Sequence, residues 1–391
     1  VTVPVDPPPI DEVLTLLEDL IAFPSVALTP NVDLIAHVED LLRPYCTDIV
    51  LTHDETGTKA NLFATIGPAV DGGVMLAGHS DVVPVDPADW ATPPFVATRL
   101  GDRIYGRGTA DMKGFVACAL ALVPRWAALD LVRPVHVALT FDEEDGFHGA
   151  PILIDSLAGA PRPAAAIVGE PTGLQLIGAH KGCYEYTTTV IGMNGHSSRP
   201  TEAVSAVHHA TRWIGALLDL DAELAGRARA DSRFEPPHTT TNVGVVGGGL
   251  ARCTVAGECS FEWEMRPVQG GDAGFVKERM AAAEATLLAE MRAVHPGAAI
   301  ETEAVCEIDG LEWVDASPAL DLMRSLLGGD PPVGVVAYGT EAGLYQAAGI
   351  PSVVWGPGDI AVAHRPDEFV EVADLEACLA VLARLGDQLT H

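Results

Sequence analysis

Apolar residues recur at helical spacing through Val13, Leu14, Leu16, Leu17, Leu20 and Ile21, which predicts a helix over 11–22 that Pro24 ends. A second helix is predicted over 32–42. The period then shortens, and the continuous apolar runs 62–66 and 74–77 read as buried strands, followed by a helical stretch over 114–129. Residues 135–141 again read as a strand, 152–157 as a helix and 165–168 as another buried strand. Strands alternating with helices in this way predict an α/β fold, a mixed and largely parallel sheet with helices on both faces.

Near 176–178 the texture changes. Residues 184–191 are rich in Thr and Tyr with period-two alternation, 203–220 follow a long helical pattern, 239–246 and 255–265 read as strands, and 275–294 as a second helix. This order predicts a small α+β domain, a four-stranded sheet with two helices on one face. The first texture returns after Pro296, with strands near 334–337 and 352–355 and a closing helix over 372–385. The expected organisation is one domain in two parts, 1–177 and 296–391, carrying an inserted domain at 178–295.

Composition narrows the function classes. The 391 residues are 48% hydrophobic and 20% charged, as expected of a globular chain with well-filled cores. The formal charge is -31 and no run of basic residues exists to neutralise phosphates, which argues against nucleic acid as a partner. So acidic a surface raises the local concentration of cations, metal ions included. Seven cysteines, an odd number without CxxC spacing, suit a reducing compartment better than a disulfide framework. The opening VTVPVDPPPIDEV lacks a basic stretch followed by an apolar one, and no uncharged apolar run is long enough to span a bilayer, so a cytoplasmic protein without a membrane partner is expected.

The polar residues that interrupt these runs fall at strand ends. In GVMLAGHSDVV a strand ends at His79 and Asp81 follows two positions later; a site at the carboxyl edge of a parallel sheet uses such residues, although a loop histidine paired with a carboxylate is the ordinary reading of His-x-Asp. GRGTADMKG delivers Asp111 just before a helix, where it could equally cap that helix. The phrase has GxG but not GxGxxG, so it does not read as a dinucleotide loop. VALTFDEEDG sets Asp142, Glu143, Glu144 and Asp145 at one strand end, where they repel unless cations lie among them or water solvates them. AAIVGEPTG adds Glu170, and GPGDIAVAHRPDEF adds His364 in a Gly- and Pro-rich loop. Five strand-to-loop junctions thus each offer one oxygen or imidazole, whereas no GxSxG elbow is present for serine chemistry.

The phrases GHSDVV, GRGTADMKG, DEE, GEPT and AHRPDE closely resemble the zinc aminoacylase and acetylornithine deacetylase family, a dinuclear metallopeptidase family that also contains succinyl-diaminopimelate desuccinylases, and the likeness spans nearly the whole chain. The resemblance implies two Zn²⁺, with Co²⁺ able to substitute. His79, Asp111 and Glu170 would serve one ion, Asp111, Glu144 and His364 the other, with Asp111 as the bridge. It further implies Glu143 as general base, Asp81 orienting His79, and a cis Asp111–Met112 peptide. Two dications, three carboxylates, two neutral imidazoles and one shared hydroxide sum to zero charge, and metals roughly 3.5–4 Å apart bring the pKa of water toward about 7. GMNGHSSRP resembles the family phrase whose histidine reaches the partner subunit's active site, which implies His196 as oxyanion stabiliser and a homodimer formed through the inserted domain. In FEWEMRP, Arg266 stands where family members hold the substrate α-carboxylate, a task that suits a bidentate guanidinium. Upstream, RCTVAGE carries Cys253 where relatives usually have Asn.

The phrase AYGTEAGLYQAAGIPSVVWGPGDIAVAHRPDE looks most like the acetylornithine deacetylases, through Gly339, Thr340, Glu341, Ala342 and the GPG before His364. The expected reaction is therefore hydrolysis of N2-acetyl-L-ornithine, with Glu341 offering a carboxylate to the δ-ammonium or, more simply, starting a helix. A related aminoacylase, desuccinylase or dipeptidase is the alternative, and a catalytically silent binding protein on the same fold the third reading.

Overall fold

The apolar runs become strands whose neighbours fix where the chain can place polar residues. In a computed structural model, which describes residues 6–390, Ala60–Ile66, Val74–His79, Val135–Thr140 and Ala165–Val168 are strands buried at every position. Consecutive side chains of a strand point to opposite faces, so unbroken burial means that both faces are covered. Residues 1–5 and residue 391 lie outside the described residues.

The chain divides into two compact units. The first takes in the chain up to Ala179, Leu311–Gly334 and everything from Thr340; the second takes in His180–Gly310 with Val335–Gly339. Eight strands, all but the last residues of two of them in the first unit, run in the order Asp48–His53, Ala60–Ile66, Val135–Thr140, Val74–His79, Ala165–Val168, Ser352–Val354, Leu176–His180, Val333–Val336. The four strands from Val135–Thr140 to Ser352–Val354 are mutually parallel, and the sheet is antiparallel where Ala60–Ile66 and Leu176–His180 flank them. Parallel neighbours end together: His79 pairs with Thr140, Ala77 with Val168, and Val168 with Val354. The carboxyl ends of four strands therefore open on one edge.

Helices Ile10–Ile21, Gly114–Ala127 and Val372–Ala383 pack against one another on this sheet and supply much of its core, including Leu17, Phe115, Trp126 and Leu379. Each such fully buried side chain contributes roughly 1.5–3 kcal/mol. One contact admits only glycine: a Cβ on Gly169 would stand 2.0 Å from the Phe115 ring, so the backbone leaving Ala165–Val168 can lie flat against that helix only because position 169 has no side chain.

The second unit is a four-stranded antiparallel sheet, ordered Thr240–Gly248, Glu258–Arg266, Cys183–Ile191, Ala299–Ile308, with helices Ala206–Gly226 and Asp272–Val294 packed on each other and on the sheet. Burial alternates along Cys183–Ile191 and Glu258–Arg266, as a sheet with one dry face requires. Trp213, 1% exposed, is the centre of that core, with ring centroids 4.9 Å from Phe261 and 5.2 Å from Trp263. The unit runs to Gly310 rather than stopping at 295, because Ala299–Ile308 pairs with Cys183–Ile191 as its fourth strand, and 335–339 also belongs to it. The sequence pattern conceals that strand: Glu301, Glu303 and Glu307 line an exposed edge, and a register shift between Ala304 and Cys306 breaks the period of two. Among the described residues no helix is long and apolar enough to cross a membrane.

Trp213→Ala is expected to destabilise the second unit by about 3–5 kcal/mol. The check is a lowered urea midpoint in far-ultraviolet circular dichroism, with the metal content of the first unit unchanged.

Candidate metal centre

Most residues of the site lie at or beyond the end of a strand of the first unit. His79 is the last residue of Val74–His79, Glu143 and Glu144 follow Val135–Thr140, Glu170 follows Ala165–Val168, and His364 lies in the long loop after Ser352–Val354. Asp111 arrives from the segment Thr109–Lys113, where Gly108 adopts φ 85° and a Cβ would meet Val82 at 2.7 Å; the Asp111–Met112 peptide is cis. Backbone hydrogen bonds join the Glu170 and His364 loops, from Gly173 to Gly358 and from Ile360 to Pro171.

The geometry is that of a shared carboxylate. Asp111 Oδ1 is 3.1 Å from His79 Nε2, and its other oxygen is 3.4 Å from His364 Nε2. Glu170 Oε1 lies 3.9 Å from His79 Nε2, and Glu144 Oε2 lies 2.9 Å from His364 Nε2. His79, Asp111 and Glu170 form one group, and Asp111, Glu144 and His364 another, with potential ligand atoms in each within 4.8 Å of one another. The backbone carbonyl of Asp81 accepts from His79 Nδ1 at 2.9 Å, which leaves Nε2 as the nitrogen that faces the cluster.

Two observations say that this set fits cations. Glu170 Oε1 is buried without a hydrogen-bond partner, an arrangement expensive for a carboxylate unless positive charge stands beside it. The carboxylates also crowd: burial, then the neighbouring Glu170, pushes Glu143 well above the usual range, and burial with Asp111 pushes Glu170 well above it and Glu144 up to about 7. Burial works against ionisation of Asp111 too, yet the hydrogen bonds from His364 and His79 hold it below its ordinary value. Asp111 and Glu144 push His364 up to about 10, and His79 is raised well above its ordinary value by Asp111 and Glu170 although burial opposes it. A proton on each Nε2 supplies positive charge against Asp111, where a divalent ion on the same atoms would supply it instead.

Around this cluster the structure assigns work that the sequence motifs did not reveal. The Asp81 carboxylate stands 3.7 Å from His79 Nδ1, and it accepts from the backbone N–H groups of Glu143 at 3.2 Å and Glu144 at 3.1 Å. It thus holds the turn that carries both acids, while its backbone carbonyl orients His79. Asp142, at φ 51°, turns away from the site to accept from Leu28 N and to pair with Lys59, and Asp145 is exposed, so only the two middle acids of DEED face inward. Glu368, 1% exposed, accepts from the N–H groups of Ala110 at 2.9 Å and Asp111 at 3.1 Å while Arg107 donates to its other oxygen at 2.5 Å. Lys113, buried and pushed down to about 7 by that burial, donates to the carbonyls of Leu20 and Phe23 at the end of the first helix. Glu368 sits four residues after His364 in the phrase AHRPDE, the signal that could have marked it.

The remaining expected residues are distributed between the units. Thr340 and Glu341 belong to the first and are fully buried; Tyr345 donates to Glu341 at 3.0 Å, Thr340 Oγ1 accepts from Ala342 N, and burial raises Glu341 to about 7. Glu341 also precedes the short helix Ala342–Ala347. His196, Arg266 and Gly339 belong to the second unit. His196 is exposed on the two-residue strand that pairs with Thr254–Val255, and Ser198 N donates to its Nδ1. Cys253 is exposed in the adjoining turn and its carbonyl accepts from Ser197 N. Arg266 donates from Nε at 2.9 Å and from Nη2 at 2.6 Å to one carboxylate oxygen of Glu264, with Glu185 at 3.5 Å.

Comparison with known proteins agrees with this architecture. The family described as peptidase family M20/M25/M40 matches residues 75–388. A Myxococcus xanthus protein named acetylornithine deacetylase is 37% identical over 373 residues, covering 94% of this chain and 95% of its own. Among solved structures, an M20 family metallo-carboxypeptidase of Sulfolobus solfataricus superposes with a TM-score of 0.75 at 20% identity, over 97% of this chain and 99% of that one. A dinuclear metal-binding peptidase of the same family from Bacillus subtilis gives 0.63 at 17% identity, over 97% and 98%.

Because Glu368 fixes the peptide that presents Asp111, Glu368→Gln is expected to keep an acceptor for the two N–H groups, leave Arg107 without its counter-charge, and weaken metal binding about 10–100-fold. Titration of chelator-treated protein with Zn²⁺ against a competing indicator measures it.

Proposed function

The chain belongs to peptidase family M20/M25/M40 and is a hydrolase, and on that premise we propose that it removes the acetyl group of N2-acetyl-L-ornithine to give L-ornithine and acetate, a step of arginine biosynthesis. The observation that carries metal-dependent amide hydrolysis is Asp111 shared between two imidazoles, with the acids Glu144 and Glu170 on either side of it. The choice of substrate rests on the Myxococcus relative and on the buried carboxylate of Glu341, which a substrate ammonium group would neutralise.

His79, Asp111 and Glu170 would hold one Zn²⁺, and Asp111, Glu144 and His364 the second, with Co²⁺ able to replace either. When bound, the pair supplies Lewis acidity that acidifies water and polarises the amide carbonyl. Glu143 takes a proton from the attacking water and delivers it to the amine nitrogen as the carbon–nitrogen bond breaks. Burial and the neighbouring acids raise its affinity for a proton, which favours the first half of that cycle, the capture of the proton from water. Asp81 holds the backbone of Glu143 in place throughout.

Arg266 would receive the substrate α-carboxylate as a further partner beside Glu264 and Glu185. His196, exposed and free to project beyond its own subunit, would stabilise the developing oxyanion in the partner of a homodimer formed through the second unit. Gly339 and Thr340, which precede Glu341 in the chain, would contribute to substrate binding beside it. Free thiols at all seven cysteines suit the reducing cytoplasm.

Glu143→Ala is expected to retain both metals by elemental analysis and to lose about 10²–10⁴-fold or more in kcat; a variant that keeps most of its turnover rules out the assignment. A panel of acetylornithine, acetylmethionine, succinyl-diaminopimelate and dipeptides, assayed by amine release with the Zn²⁺-loaded enzyme, tests the substrate. Acetylornithine should give the highest kcat/KM, and Glu341→Gln should narrow its lead over acetylmethionine. A higher value for the succinylated or dipeptide substrates overturns the proposal, and no hydrolysis of any of them points to a binding protein.

A further inference from the structure

Outside the centre described above, the second unit brings together a second set of metal-ligating side chains. Cys183 and Glu185 lie two positions apart on one strand and so share a face of the sheet. On the neighbouring strand the register shift between Ala304 and Cys306 sets Cys306, rather than Val305, opposite Glu185. Without that extra residue the side chain at this place would be the valine. Cys183 Sγ is 3.9 Å from Cys306 Sγ and 3.3 Å from Glu185 Oε1, and the three ligand atoms all fall within 4.8 Å of one another.

These separations are those of a tetrahedral edge. With metal–sulfur bonds of about 2.3 Å and a metal–oxygen bond of about 2.0 Å, tetrahedral angles place two sulfurs about 3.8 Å apart and sulfur and oxygen about 3.5 Å apart. A disulfide would need the sulfurs at about 2.05 Å. Both thiols are buried, whereas Glu185 is 39% exposed on its side chain and gives a way in from solvent. Two thiolates and one carboxylate around a dication leave one negative charge, and Arg266, which pairs with Glu264 at 2.6 Å, stands 3.5 Å from Glu185 as the neighbouring cation.

We propose that Cys183, Glu185 and Cys306 form a binding site for one thiophilic divalent cation of the zinc and cadmium class, with water as the fourth ligand. Binding transfers the two thiol protons to solvent and leaves the cation on two thiolates and the Glu185 carboxylate. The site does not rest on the proposed deacetylase activity, since none of its ligands serves the centre in the first unit.

The probe is Co²⁺, titrated under anaerobic conditions into full-length protein that has been reduced and stripped with chelator. The centre in the first unit has only oxygen and nitrogen ligands, so a sulfur-to-cobalt charge-transfer band in the near ultraviolet reports the thiolate site alone. We expect that band, with the intensity of one thiolate-bound cobalt per chain once Co²⁺ is in excess over all three positions, to vanish in Cys183→Ser and in Cys306→Ser and to persist in Cys253→Ser. Glu185→Gln should keep the band but raise the cobalt concentration needed to reach it, which reads the site in a variant with both sulfurs present. No band in the wild type at excess Co²⁺, a band that survives both cysteine variants, or a thiol count showing Cys183 and Cys306 cross-linked after reduction would each overturn the proposal. Failure of the deacetylase reading would appear separately, as absent amide hydrolysis with this band intact.

Discussion

Carboxylates buried within reach of one another cannot all remain charged unless something positive lies among them, and the first unit is organised around that constraint. Asp111 occupies the middle, one oxygen toward His79 and the other toward His364. Glu144 and Glu170 flank it, and burial with mutual repulsion pushes both toward protonation. An isolated metal-binding carboxylate would tolerate loose support. A cluster of several like charges does not, because the free energy that holds it together is recovered only when each oxygen faces a cation or a donor.

That requirement explains why so much backbone is committed to the site. Parallel strands ending in register present their loops on one edge, and the loops are then fixed by groups that never reach the cluster themselves. Asp81 holds the N–H groups of Glu143 and Glu144, Glu368 holds those of Ala110 and Asp111, and Asp142 anchors the acidic turn to Lys59 and Leu28. Arg107 compensates Glu368 in turn. Lys113, buried nearby in the chain, donates to the backbone carbonyls of Leu20 and Phe23.

The second unit uses a different economy. Its core is aromatic and aliphatic, built on Trp213, Phe261 and Trp263, and its polar chemistry sits at strand ends and edges. Arg266 shares Glu185 with the thiol pair Cys183 and Cys306, so one carboxylate links the guanidinium to the sulfurs. His196 pairs with Thr254 on a short two-residue strand and Cys253 accepts from Ser197 N beside it, both exposed rather than packed.

Local sequence carries information about periodicity and about residue types at strand ends, and those were enough for the α/β class and the change of texture near 178, while the resemblance of its motifs to a known family added the residues His79, Asp111, Glu144, Glu170 and His364 that the structure brings together. They were not enough for the boundary at Gly310, because Ala299–Ile308 is an edge strand with charged positions and a bulge, and its identity as a strand depends on the partner Cys183–Ile191. Without the family resemblance the pattern did not distinguish Glu143 and Glu144 from Asp142 and Asp145, four adjacent acids whose directions follow from backbone angles and from the distant Lys59 and Asp81. The positioning role of Glu368 and the meeting of Cys183 with Cys306 were likewise decided only in three dimensions. Those pairs are separated by more than a hundred residues, and the pairing of side chains across such a span is set by strand register and loop path, which no local pattern encodes.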